Sequence, residues 1–315
     1  MNESQQTLPP ASYDDEIDLR ELFRVLWAGK WLIVGITSAV TVIAIVIALM
    51  LPNIYRAEAL LAPNDQDGAG GLSALAAQYG DLASLTGINI GGNSTDKTTA
   101  GLEILKSRKF LYDFIERHDI LVPLVADRRW NPETGELIID SDDYDVTANK
   151  WVRKVSPPKR TIPSLQEAYE EFREILHINK SLETGYIIVS VEHVSPTIAK
   201  QWVDWLVEDI NSTILEQDVR EANQAMEYLT TQISLTSLAE LRSVFYGLIE
   251  DQMRTVVLAK ASLEYVLRTL DPAVVPEKKA KPNRILIVIL SAFLGGLIGI
   301  GVQLFRVPND FTKRN

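Results

Sequence analysis

Apolar residues are spaced along this chain in two ways. Trp31 to Leu51 and Ile285 to Phe305 are runs of 21 residues without a charge. At 1.5 Å per residue each forms a helix about 31 Å long, the thickness of a bilayer's hydrocarbon core. Both therefore read as membrane spans. Elsewhere the pattern is periodic. "NIYRAEALLAP" after the first run alternates as a strand leaving the membrane, with Tyr55 as an interface anchor. From Lys97 to His118, Leu102, Leu105, Phe110, Leu111, Phe114 and Ile115 recur at helical spacing. Ser164 and Glu167 form a capping box that opens the helix "LQEAYEEFREIL". "HINKSLETGYIIVSVEHVSP" reads as two strands joined at Glu183-Thr184-Gly185.

Ser195-Pro196 then starts a long helical region, with a hydroxyl N-cap and proline in the first turn. From Thr197 to Leu270 there is no proline and one glycine, Gly247. The β-branched, serine-rich "TTQISLTS" and a capping box at Ser237 and Glu240 divide it into helices over about 197–233 and 238–270. The pattern fits a hairpin or an end-to-end rod equally well. Asp271-Pro272 is a sharp stop. Near the N-terminus, Ile17, Leu22, Phe23, Leu26 and Trp27 share a face behind a capping box at Asp18 and Glu21. That stretch fits an interfacial helix or an inward extension of the first span. "LSALAAQYGDLASL" reads as a packed helix between the loops "NDQDGAGGLS" and "GINIGGNSTD".

The expected fold class is an α+β membrane protein, two transmembrane helices flanking a periplasmic α/β base domain with long extended helices. The expected divisions are a tail at 1–30, the first span at 31–51, the base at 52–196 and long helices at 197–271. A proline-rich basic segment at 272–284, the second span at 285–305 and a tail at 306–315 follow. The first apolar run exceeds the core of a signal peptide and follows an acidic tail, so it reads as an uncleaved anchor. Arg20, Arg24 and Lys30 precede it and only Arg56 follows closely, which puts the N-terminus in the cytoplasm. Two spans return the C-terminus to the same side. Lys278, Lys279, Lys281 and Arg284 then lie on the side where basic residues are disfavoured; lipid head groups, polyanions or acidic neighbours are their candidate partners.

Charge narrows the partners. Residues 52–284 carry 25 basic and 35 acidic side chains. Such a surface disfavours phosphate-rich partners, nucleic acid first. The chain has no cysteine. His118, His177 and His193 lack ligand spacing. No nucleophile elbow or phosphate-binding loop occurs. "DSDDYD" reads as a solvated acidic loop, and "WVRKVSPPKRTIPS", with Lys150 before it, as a basic loop open to acidic sugar, lipid or another subunit. No catalytic residue, cofactor or metal site is expected. The informative cluster lies in the second span. Ala292, Gly295, Gly296, Gly299 and Gly301 fall within ten residues. Ala292/Gly296 and Gly295/Gly299 are small-xxx-small pairs, which let another helix approach closely in lipid. That helix is the first span, another subunit or another protein.

These segments resemble the Wzz-type polysaccharide co-polymerases, the chain-length determinants. "DEIDLRELFRVLWAGKWLIV" resembles that family's first span, "LPNIYRAEALLAP" its first periplasmic strand and "HVSPTIAKQWVDWLVEDIN" its strand-to-long-helix junction. "DPAVVPEKKAKPNR", with Pro272, Pro276 and Pro282, and "LGGLIGIGV" resemble its proline-rich motif and glycine-bearing second span. The likeness is loose over 63–160. It implies a bacterial inner-membrane protein with both termini cytoplasmic and a ring-like homo-oligomer. It also implies a non-catalytic role with the glycan polymerase in setting O-antigen or lipopolysaccharide chain length, with lipid-linked polysaccharide as a further contact. The region after Ser195 is shorter than in many O-antigen regulators, which implies a smaller protrusion. Two other readings share the architecture: the membrane adaptor of a separate tyrosine kinase in exopolysaccharide or capsule synthesis, and a two-span sensor.

Overall fold

A computed structural model describes residues 24, 26–64, 93–262 and 264–306. The expected interfacial helix, except at its last residues, and the expected helix within 72–85 lie outside the described residues. The chain divides into two compact units, one of residues 1–51 and 282–315, the other of residues 52–281.

In the first unit, α1 (Lys30–Met50) and α8 (Arg284–Arg306) pack against each other. Both are long and apolar enough to cross a membrane. Most of their surface is exposed apolar side chain, such as Val42, Leu49, Phe293 and Leu297. That composition suits lipid, not water.

The second unit is built on one sheet. β1 (Ile54–Pro63) turns Ala57, Ala59 and Leu61 to the core, with the alternating Arg56 and Glu58 exposed. α2 (Asn93–Leu105), α3 (Arg108–Arg117) and α4 (Leu121–Val125) follow, then the short strands β2 (Asp127–Trp130), β3 (Leu137–Ile139), β4 (Tyr144–Asp145) and β5 (Lys150–Trp151). β2 pairs with β3, and β4 with β5. α5 (Leu165–Ile175) starts where the capping box predicts: Ser164 Oγ accepts from Glu167 N at 3.2 Å. β6 (Leu176–Lys180) and β7 (Ile187–His193) form the expected hairpin, with Gly185 at φ 72° in its turn. β7 pairs antiparallel with β1, matching Arg56 to Glu192 and Leu61 to Ile187.

α6 (Pro196–Leu235) is capped by Ser195 Oγ, which accepts from Ile198 N at 3.5 Å. Its first turns bury Trp202, Val203, Leu206 and Ile210 against the sheet. These side chains, with Phe114, Phe172 and Val189, form the main core. α7 (Ala239–Ala261) folds back along α6 as a hairpin, which settles the open choice between hairpin and rod. Its N-cap is Leu238 with no side-chain cap, so Ser237 does not close the expected box.

The expected helix to Leu270 ends instead at Ala261. Residues Leu267–Asp271 form β8, antiparallel to β1. The cause is a distant partner. Asn211 of α6 is buried, and its Oδ1 accepts from Val266 N at 2.8 Å and Leu267 N at 2.9 Å. Its Nδ2 donates to Leu267 O and to Val207 O, each at 3.0 Å. One carboxamide thus satisfies three backbone groups of the returning chain. Further on, β9 (Lys279–Lys281) also pairs with β1, opposite Ile54 and Tyr55. The five strands run β6-β7-β1-β8, with β9 beside β1. Outgoing and returning chain therefore lie side by side in one sheet.

Candidate functional site

The glycine cluster packs on the first span. A Cβ on Gly295 would stand 3.0 Å from Thr37 Cα and 3.2 Å from Val40 Cβ. One on Gly299 would stand 3.0 Å from Ile33 Cα. Gly295 and Gly299 are one turn apart on α8, as Thr37 and Ile33 are on α1, so two backbones meet along one seam. The seam extends by the same spacing to Gln303, buried at the other end of α8 with its carboxamide over Gly29. The other predicted small residues contribute less. Ala292 is half-buried; Gly296 reaches only Thr37 Oγ1, at 3.9 Å; Gly301 has nothing within 4 Å. Thr37 and Thr41 donate to Ile33 O and Thr37 O at 2.8 and 2.7 Å, so neither hydroxyl is left bare in an apolar setting.

Of the disfavoured basic residues, Arg284 and Lys281 find partners. Arg284 Nε donates to Ala48 O at 2.9 Å and Nη2 to Leu51 O at 3.3 Å. The last carbonyls of a helix lack intrahelical donors and carry the negative end of its dipole. Arg284 of the second span thus caps the end of the first. Lys279 and Lys281 lie in β9. Lys281 Nζ donates to Glu192 Oε2 at 2.7 Å. Lys278 is exposed. Pro272 and Pro276 lie between β8 and β9, and Pro282 directly precedes α8.

Glu192 was not singled out by the sequence pattern, and it anchors this region. Its carboxylate is buried, and it also takes Arg56 Nε at 3.0 Å and Arg56 Nη2. Burial alone raises its pKa; the bonds from Lys281 and Arg56 outweigh that and hold it below the ordinary glutamate value. The signal available in sequence was one acidic residue on the outward face of "IIVSVEH", opposite an arginine in a neighbouring strand.

The remaining candidates are structural. His118 Nε2 meets Asp209 Oδ2 at 3.0 Å and its ring stacks on Trp205. His193 is buried, bonded through Nε2 to Pro123 O at 2.9 Å and through Nδ1 to Ser195 N at 3.0 Å. Burial pushes its pKa down. No group of three or more His, Asp or Glu side chains fit to hold a metal occurs among the described residues. In the basic loop, Arg153 turns inward. It donates to both oxygens of Glu167, at 2.9 and 2.8 Å, and to Arg160 O and Thr161 O. It fastens the loop to α5 and is not offered to solvent. In "DSDDYD", Asp140 and Asp145 accept backbone N–H groups of the following turns.

Two family models match parts of the chain. Residues 15–118 match the family model "Wzz: Chain length determinant protein", which takes in α1, β1, α2 and α3. Residues 235–307 match "GNVR: G-rich domain on putative tyrosine kinase", which takes in α7, β8, β9 and α8. No curated protein matches the chain. Among solved structures, a full-length bacterial polysaccharide co-polymerase is 16% identical, covering 95% of this chain and 99% of its own, with a TM-score of 0.39. A fragment of WzzB, a polysaccharide co-polymerase from Salmonella Typhimurium, is 12% identical, covering 73% and 100%, with a TM-score of 0.25. Likeness at those scores carries no functional weight. Residues 15–118, which hold the first span and the first strand of the sheet, are thus similar to the Wzz-type chain length determinants.

Proposed function

We propose that this protein is a non-catalytic regulator of polysaccharide chain length, of O-antigen or a related glycan, in a bacterial inner membrane. The observation that carries the reading is the chain length determinant match over residues 15–118. It is supported by two helices long and apolar enough to cross a membrane. In this reading both termini are cytoplasmic and residues 52–284 are periplasmic. The chain acts as a homo-oligomer beside the membrane glycan polymerase, in contact with inner-membrane lipid and lipid-linked polysaccharide. Neither nucleic acid nor a cofactor takes part. The close seam of α1 and α8 and the shared sheet of β1, β8 and β9 would carry movement of the long helices toward the membrane. The test is deletion of the gene followed by a gel of surface polysaccharide. Polymer still made, with an altered length distribution, supports the reading; an unchanged ladder sinks it.

A second reading is favoured by the match of residues 235–307 to a domain found on putative tyrosine kinases. There the chain is the membrane adaptor of a separate kinase in exopolysaccharide or capsule export. Loss of all polymer on deletion, together with loss of tyrosine phosphorylation on a partner protein, would decide for it.

A further inference from the structure

Beside the edge strand β6 lies an open cleft of about 740 Å³. Arg56, Lys106, Arg173, His177 and Lys281 line it, with Glu103 as the one acidic member. This reverses the charge of its surroundings, since residues 52–284 are strongly acidic. Two of the cations are also held in place. Arg56 and Lys281 share the single buried carboxylate of Glu192, so the three groups carry one surplus positive charge in a fixed position. His177 flanks the same carboxylate with Nε2 3.5 Å from Oε1, and that nitrogen has no hydrogen-bond partner. Arg173 stands 5.6 Å over the Tyr169 ring and pairs with no carboxylate among the described residues. Lys106 is exposed and bonded only loosely, to Glu103 at 3.2 Å.

A guanidinium without a carboxylate partner is suited to two-point recognition of an oxyanion. The volume is far larger than one phosphate and matches a short chain of sugars in scale. We propose that this cleft binds an oxyanion-bearing glycan segment, a carboxylate or phosphate carried on sugar. The glycan half of the assignment rests on the chain-length reading above; the oxyanion half rests on the cleft alone.

The test uses the full chain in detergent micelles, with titration calorimetry against trigalacturonate, a hexose 1-phosphate, neutral maltotriose and inorganic diphosphate. Saturable binding of trigalacturonate or the hexose phosphate is expected, weakened about tenfold on raising salt from 50 to 500 mM. The paired variant Arg173→Gln with Lys106→Gln should weaken it at least about tenfold, while its thermal melt stays that of the parent, because both side chains are exposed. Binding of the trigalacturonate alone assigns an acidic sugar; binding of the hexose phosphate alone assigns a phosphorylated one. No saturable binding of either, equal binding of maltotriose, or binding unmoved in the paired variant overturns the proposal. Binding of inorganic diphosphate alone overturns the glycan half. None of these outcomes bears on the deletion phenotype, so the regulatory reading stands or falls separately.

Discussion

Two buried polar residues decide much of how the second unit holds together. Asn211 satisfies three backbone groups of the returning chain, at Val266 and Leu267. Asn211→Leu would leave those groups buried without partners, and each such loss is costly. The variant is expected to lose roughly 3 kcal/mol of stability, seen as an earlier midpoint in a urea titration followed by tryptophan fluorescence. Asn211→Ser, small enough to admit water, should lose less. Glu192 is the second. Its pKa is held down in the folded state, chiefly against burial, by Lys281 and Arg56. A carboxylate so held stabilises the fold above its unfolded pKa, and the contribution disappears as pH falls through the folded value. Stability should therefore drop on acidification below about pH 4.3, the ordinary glutamate value, and Glu192→Gln should flatten that drop. At pH 7 the same change should cost about 1–2 kcal/mol, limited because Arg56 and Lys281 are half-exposed. A variant with an unaltered acid limb would remove Glu192 from this role.

Elements whose reasons are local could be read from the residues. α5 begins at its capping box, α6 at Ser195-Pro196, and the β6–β7 turn at Gly185, because each signal lies within a few residues of its effect. β8 could not be read so. Tyr265 to Leu270 continues an acceptable helical pattern, and it becomes strand because β1 offers an edge and Asn211 an amide, about fifty residues away or more. The glycine-rich span was legible in part. Glycine density pointed to close packing, yet the four-residue repeat through Gly295, Gly299 and Gln303 leaves Gly301 off the seam. That difference can be tested. Gly295→Leu with Gly299→Leu would drive side chains into the α1 backbone, separate the two helices and shift the glycan ladder, while the unfolding free energy of the second unit in urea stays within about 0.5 kcal/mol of the parent. Gly301→Leu should leave the ladder as it was. If the double variant also leaves it as it was, the seam has no part in length control.

At the scale of the whole molecule, α7 is the element whose surface exceeds what one copy can cover. Phe245, Ile249, Val256 and Ala259 recur at spacings of three, four and seven and are at least half-buried along α6. A second set, Leu241, Val244 and Leu248, recurs at the same helical spacing and is exposed. Tyr246, Met253 and Val257 are exposed as well. A soluble surface rarely keeps a contiguous apolar stripe along a helix unless another protein covers it. The homo-oligomer proposed above supplies that cover, since in a ring the stripe of each copy packs against a different face of the next. Leu241→Glu with Leu248→Glu places charge in that contact without touching the α6 face. The expected result is a fall from oligomer to smaller species by mass photometry in detergent, with helical content by circular dichroism unchanged. In the proposed reading the regulator acts as an assembly, so the glycan ladder should then lose its preferred length. An intact oligomer carrying both glutamates would place the subunit contact elsewhere and leave the α7 stripe facing a different protein.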